Sequence, residues 1–146
     1  MIVKQILAMK AGPDSIITVR PDMTIAEAVR LLSEKRIGAV VVSGDGATPQ
    51  GILSERDIVR ELARSGAAAM DRRVSEVMTS KVQTCRSGDE ALGLLQRMTD
   101  GRFRHVPVVD DNGRMLGVVS IGDAVFARLK ELDAEKDALT GMIMGN

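Results

Sequence analysis

The sequence overlays on itself. Shifted by 66 positions, the 146-residue chain matches without a gap from about Thr18 to about Val59. Gly51 falls on Gly117, Ser54 on Ser120 and Asp57 on Asp123. Upstream, Thr18 falls on Thr84, Arg20 on Arg86, Arg36 on Arg102, Val40 on Val106 and Val42 on Val108. The apolar positions Ile25, Ala28, Val29 and Leu32 fall on Ala91, Leu94, Leu95 and Met98. A lead-in repeats as well: Val3-x-x-Ile6-Leu7 matches Val74-x-x-Val77-Met78, with a loop about five residues longer in the first copy, near Ala11 to Ser15. A repeat of this length is one supersecondary unit, and a single unit buries too little area to stand alone.

Both copies read alike. A short strand comes first, Ile16 to Val19 or Lys81 to Cys85. A helix with i, i+3, i+4, i+7 apolar spacing follows, Ile25 to Lys35 or Ala91 to Thr99. Thr24-x-x-Glu27 forms a capping box for the first, and Ser87-x-x-Glu90 offers one for the second, a turn earlier. Then come a β-branched run (Ala39–Val42 or Val106–Val109), a turn (Gly44-Asp45-Gly46 or Asp110 to Gly113) and a second strand, Gly51–Leu53 or Gly117–Val119, entering a helix at Ser54 or Ser120. The expected fold is α+β: two tandem β-α-β-β-α motifs, 1–64 and 74–130, joined by a linker at 65–73 and packed sheet on sheet about a pseudo-two-fold axis. That packing makes two related clefts, each lined by both copies. From Asp123 an amphipathic helix runs beyond its counterpart, and residues 131–146 form a helical extension. Such a helix packs on its own domain or on a second copy.

Composition narrows the function. Twenty basic residues balance twenty acidic ones, and Trp and Tyr are absent beside two Phe. Neither a basic face nor stacking platforms for nucleic acid are expected. No apolar run reaches membrane-span length, and Lys4 and Lys10 interrupt the N-terminal segment, so no membrane span and no secretory signal are expected. One cysteine rules out an intrachain disulfide, and a cytoplasmic location is the expectation.

The stretch GILSERD, Gly51 to Asp57, and its echo at Gly117 to Asp123 carry the chemistry. Ser-x-x-Asp before an apolar run is a common helix cap. It also sets unpaired N–H groups and a serine hydroxyl where a phosphate can bind. A carboxylate three residues on is poorly placed for that phosphate, but it can accept from the cis hydroxyls of a ribose. Either role is open for one copy alone. Two copies at one offset favour the ligand: Ser54 and Ser120 toward phosphate, Asp57 and Asp123 toward sugar.

Two copies of Gly-aliphatic-aliphatic-Ser-x-x-Asp, each closing a β-α-β-β-α unit, resemble a tandem pair of CBS domains, the regulatory module named after cystathionine β-synthase. FRHVPVVDDNGRMLGVVSIGD, Phe103 to Asp123, resembles that family's strand and turn. The likeness spans about Val3 to Leu129 and is to the stand-alone kind. The resemblance implies a regulatory ligand containing adenosine, AMP first, with ATP, ADP, NAD or S-adenosylmethionine as alternatives, and no metal. It implies a flat homodimer acting on a downstream protein. It further implies that Thr18 and Thr84 meet the ligand, that Gly38-Ala39-Val40 and His105-Val106-Pro107 line the adenine slot, and that Ile52 and Val118 pack on the ring. Arg104, His105 and Arg56 would meet phosphates. Copy one has Gly38-Ala39 where copy two has Arg104-His105, and copy two has Gly122 where copy one has Arg56. One better site is therefore expected, built chiefly from copy two with Arg56 lent by copy one.

The remaining singular residues read plainly. His105 is the only histidine, so a zinc site is not expected, and it makes either a phosphate contact or a structural hydrogen bond. Ser120 with His105 is the sole conceivable nucleophile and base, and no enzyme is expected. Cys85 reads as a small buried hydrophobe, the nine Met as core fillers, and the Glu131–Asp137 charges as solvent-facing. The rival to a nucleotide sensor is an interaction scaffold that has lost its ligand and uses the C-terminal helix.

Overall fold

The computed structural model describes residues 1–10 and 16–143. The longer loop at Ala11 to Ser15 and the last three residues of the C-terminal extension lie outside the described residues.

The first motif contains β1 (Thr18–Val19), α2 (Ile25–Lys35), β2 (Ala39–Val42), β3 (Gly51–Ser54) and α3 (Glu55–Ser65), preceded by the lead-in helix α1 (Val3–Met9). A 3₁₀ segment, Gly66–Asp71, follows and buries Ala69 completely. The second motif has its own lead-in helix α4 (Val74–Val77), then α5 (Ala91–Gly101), β4 (His105–Val109), β5 (Met115–Ser120) and α6 (Ile121–Ile143). The first sheet runs β1-β2-β3, with β1 parallel to β2 and β2 antiparallel to β3. The second pairs β4 antiparallel to β5.

The expected strand over Lys81–Cys85 contracts to one parallel bridge between Cys85 and Val108. The residues just before it turn back on themselves, Val82 donating to the Ser80 carbonyl, and run along a cleft mouth with no strand beside them.

Period-two alternation sorts the strand residues. Val40, Val42 and Leu53 face the first motif's helices, and Val106, Val108 and Val119 face the second's. The opposite faces carry Val41 and Val109, and a register shift after Val108 brings Met115 opposite Val109; together they form a third cluster between the sheets with Ile16 and Val118. The Met115 amide donates across the junction to the Ala47 carbonyl at 2.7 Å. Sheet packs on sheet, as the repeat predicts.

The lead-in helices are exchanged. Val3 and Ile6 of α1 lie in the second motif's core, while Val74 of α4 lies in the first's. The exchange is reciprocal in its hydrogen bonds. Ile25 donates to Arg72, Val74 to Met23 and Ser75 to Pro21. Their counterparts repeat the pattern, Ala91 to Met1, Val3 to Asp89 and Lys4 to Ser87. Each core is therefore completed by a lead-in helix from the other copy of the repeat. The capping box expected at Ser87 does not form. Glu90 is the N-cap of α5 and makes no side-chain cap hydrogen bond.

Arg36 and Arg102, matched in the repeat, both cap their helices in the left-handed region, at φ 55° and 57°. Each ends its helix there and turns the chain into the next strand.

α6 buries Ala124 and Ala127 and then projects. Val125, Phe126, Leu129 and Leu132 are 41–57% exposed, so the motif beneath leaves about half of each uncovered.

Candidate ligand clefts between the two motifs

Two adjoining clefts open where the sheets meet. They share Gly38, Ile52 and His105 as a common wall. The first has a cavity of about 390 Å³ and holds Ser54 and Asp57. The second, about 300 Å³, holds Ser120 and Asp123.

Ser54 ends β3 in extended geometry and caps α3. Its hydroxyl oxygen accepts from the Asp57 amide at 3.3 Å, and the Ser54 amide donates to Asp57 Oδ2 at 2.9 Å. The Ser54 hydroxyl itself donates to the same Oδ2 at 3.0 Å. Asp57 is 6% exposed, and its Oδ1 accepts from the Thr79 hydroxyl at 3.1 Å. Arg60 stands 3.8 Å from that oxygen. The helix-cap role of GILSERD is therefore real, and the Ser54 proton is spent on its own carboxylate.

The second cleft repeats the box with different neighbours. The Ser120 amide donates to Asp123 Oδ2 at 2.8 Å, and the Asp123 amide donates to Ser120 Oγ at 3.1 Å. Here Lys10 Nζ reaches Oδ2 at 2.9 Å and the Val118 carbonyl at 2.6 Å. Burial works to raise the Asp123 pKa, but the Ser120 amide and the Lys10 ammonium outweigh it and hold the carboxyl below its usual range. Burial and then the Lys10 charge lower the His105 pKa, with Asp123 opposing. His105 and Ser120 are cross-strand partners, yet the Ser120 oxygen serves the Asp123 amide.

The clefts do not group the residues as the repeat suggests. Arg104 lines the first cleft, with Ser54, Arg56 and Asp57, not the cleft of Ser120 and Asp123. The better-furnished cleft is thus a hybrid: carboxylate and serine from the first motif, Phe103, Arg104 and His105 from the second. Ala39, Val40 and Val118 line the Asp123 cleft, while Gly38, Ile52 and His105 serve both.

Four expected site residues lie in neither cleft. Thr18 pairs with Val41 on β1, the strand farthest from β3 in its sheet. The Thr84 carbonyl accepts from Arg97. Val106 is fully buried toward the second motif's helices, and the Pro107 carbonyl accepts the Cys85 amide.

Other residues enter instead. Arg60, Thr79, Lys81, Arg102 and Phe103 join the first cleft, and Lys10, Ile17 and Ile37 the second. The lead-in match, carried three residues past Leu7 and Met78, sets Lys10 opposite Lys81. Both line a cleft, so that correspondence was the available signal. Phe103 turns back onto Gly101, against the position a Cβ there would occupy, and so needs a glycine at that position.

The CBS domain family model matches residues 3–64 and 74–130. A solved CBS-domain containing protein from Agrobacterium tumefaciens is 43% identical, superposes with a TM-score of 0.79, and covers 87% of this chain and 98% of its own. A CBS domain protein from Pyrobaculum aerophilum, solved in complex with AMP, is 28% identical at a TM-score of 0.76, covering 92% and 98%. A CBS domain pair solved with 5′-methylthioadenosine and S-adenosyl-L-methionine is 26% identical at 0.75, covering 91% and 98%. The duplicated Gly-aliphatic-aliphatic-Ser-x-x-Asp motif, the exchanged lead-in helices, the clefts between the sheets and these matches agree: the chain belongs to the CBS-domain family, as a tandem pair of CBS motifs.

Proposed function

We propose that the protein is a regulatory module that binds an adenine nucleotide, AMP first, in the Asp57 cleft. One observation carries the reading. A buried carboxylate suited to ribose hydroxyls shares that cleft with five cationic side chains, Arg56, Arg60, Lys81, Arg102 and Arg104. Asp57 accepts the sugar, the cationic rim takes phosphate, and Ile52 and Phe103 offer apolar contact to the base. The solved neighbour in complex with AMP supports the nucleotide class. The ligand would bridge both motifs, because each contributes to that cleft. It signals by binding one arrangement of the motifs better than another.

The second copy in a homodimer is the partner we assign to the exposed face of α6, where Val125, Phe126, Leu129 and Leu132 stand in line.

Calorimetric titration of AMP, with ATP and NAD alongside, tests the reading. Asp57→Asn preserves the cap acceptor and should weaken AMP at least about tenfold, the scale of a hydrogen bond to a charged group. Arg104→Ala should weaken it as well. If no adenine nucleotide binds, or Asp57→Asn leaves the affinity unchanged, the reading is refuted in favour of a scaffold.

A further inference from the structure

Helix α3 carries two buried carboxylates on one face. Asp57 is 6% exposed, and Glu61, one turn further on, is 7% exposed. A charge taken out of water needs partners in its place. Both carboxylates find one on the same segment, Arg72 to Thr79, which carries the chain out of the linker and through the second lead-in helix. Arg72 Nε stands 2.9 Å from Glu61 Oε1, which also accepts from the Ser65 hydroxyl at 2.8 Å. At the other end the Thr79 hydroxyl donates to Asp57 Oδ1 at 3.1 Å.

The segment is bonded along its length. The Arg72 guanidinium also donates to Glu76 at 3.3 Å, and Glu76 accepts the Arg73 amide at 3.0 Å. The Met78 amide donates to the Val74 carbonyl, and the Val74 side chain is in the first motif's core. Thr79 then exchanges two backbone bonds with Ile52 of β3, at 2.8 and 2.9 Å. Asp57 is thereby held at both oxygens, Oδ2 by Ser54 and Oδ1 by Thr79. A carboxylate held at both oxygens has a fixed plane, and a ligand-binding group works only as well as the bonds behind it hold its geometry.

The repeat shows that packing alone does not require this clasp. Glu61 falls on Ala127, which α6 buries completely. The lead-in match that sets Val74 on Val3 sets Thr79 on Ala8. Two alanines thus stand where the first motif has a charged and a hydroxyl side chain. A buried ion pair is weak as a source of stability, so its presence in one motif points to another role.

We propose that Arg72 and Glu61 are positioning residues for the Asp57 cleft: their ion pair anchors the linker end of the segment whose other end, Thr79, orients the Asp57 carboxylate. The ligand's identity rests on the nucleotide reading above, whereas the clasp stands on its own bonds. Cleft and linker share this one strap. By linkage, loosening it at the linker weakens the ligand, and the ligand in turn tightens it.

Arg72→Gln in the full chain tests this by two readouts. In calorimetric titration AMP should bind at least about fivefold more weakly. Thr79→Val should weaken AMP too, and the double variant should lie within about twofold of Thr79→Val alone, because Arg72 acts through Thr79. The second readout needs no ligand. In amide hydrogen exchange followed by NMR, the Thr79 and Ile52 amides should exchange at least about fivefold faster in Arg72→Gln, while the Val3 amide, bonded to Asp89 in the other lead-in join, stays within about twofold. Glu61→Gln keeps the side-chain shape and should act in the same direction, so it serves if Arg72→Gln does not fold. Unchanged AMP affinity in Arg72→Gln, multiplying losses from Arg72→Gln and Thr79→Val, or equal acceleration of the Val3 and Thr79 amides would overturn the proposal. AMP binding that needs Asp57 and ignores Arg72 defeats this proposal alone. No AMP binding by the parent chain defeats the nucleotide reading; acceleration confined to Thr79 and Ile52 then still sustains the clasp, and uniform acceleration overturns it.

Discussion

Replacing Gly51 by alanine should loosen the join between the two motifs. A Cβ at Gly51 would lie 2.5 Å from Met78 Sδ and 3.0 Å from the Thr79 carbonyl oxygen. The sulfur can swing aside, but the carbonyl cannot move without cost. It accepts the Ile52 amide at 2.9 Å, and the Thr79 amide returns a bond to Ile52 at 2.8 Å. Those two bonds hold the second lead-in against β3, and the Thr79 hydroxyl reaches Asp57 from there. Overpacking of this kind costs about 1–3 kcal/mol. At about 2–4 °C per kcal/mol for a chain of this size, the melting temperature should fall by about 2–12 °C. Gly117→Ala is the built-in control. Its Cβ would meet the Leu7 side chain first, at 2.7 Å, and its three nearest neighbours are all Leu7 side-chain atoms. Alanine also gains about 0.4–1 kcal/mol by restricting the unfolded chain, so Gly117→Ala should sit within about 3 °C of the parent. Heat denaturation followed by far-ultraviolet circular dichroism reads both. Adding Met78→Ala to Gly51→Ala should recover part of the loss, with a coupling of at least about 0.5 kcal/mol. Equal shifts for the two glycines, or no shift at Gly51, would refute the argument that the Thr79 carbonyl sets the cost.

Burial holds the His105 pKa below its ordinary 6.5, so the folded protein binds fewer protons than the unfolded chain as the pH falls past about 6.5. Stability should drop through that window and level off below the folded pKa; His105→Asn should flatten the slope between pH 7 and 5, and equal slopes would refute the assignment. The Cys85 thiol is 2% exposed and burial pushes its pKa up to about 11. At pH 8 about one thiol in a thousand is ionised, so a disulfide reagent should react with it only after denaturation. Arg36→Gly and Arg102→Gly should each relieve a left-handed arginine and add up to about 1 kcal/mol in denaturant titrations. Only Arg102→Gly should also weaken AMP, because only Arg102 lines the Asp57 cleft. Phe126→Glu combined with Leu129→Glu should shift the mass measured by light scattering from dimer to monomer; an unchanged mass would remove α6 from the dimer contact.

The sequence by itself determined the unit and its multiplicity. Period-two and 3.6-residue apolar spacing are local properties, and the 66-residue offset showed that one unit occurs twice. It also determined both Ser-x-x-Asp caps, because a cap needs only residues three apart. The tertiary structure decided which copy furnishes which cleft. Arg104 and Asp57 come together because the sheets pack about a pseudo-two-fold axis, and strand spacing within one copy carries no record of that. Thr79 and Lys10 entered the clefts because the lead-in helices cross to the opposite core, which the lead-in match did not disclose. Thr18 and Val106 stayed out because β1 lies at the far edge of its sheet and because alternation turns Val106 inward. The asymmetry of Arg56 against Gly122 and of Arg104-His105 against Gly38-Ala39 was legible from the first residue to the last. Its consequence, a cleft that gathers Arg56 and Arg104 from different motifs, followed only when distant segments shared a wall.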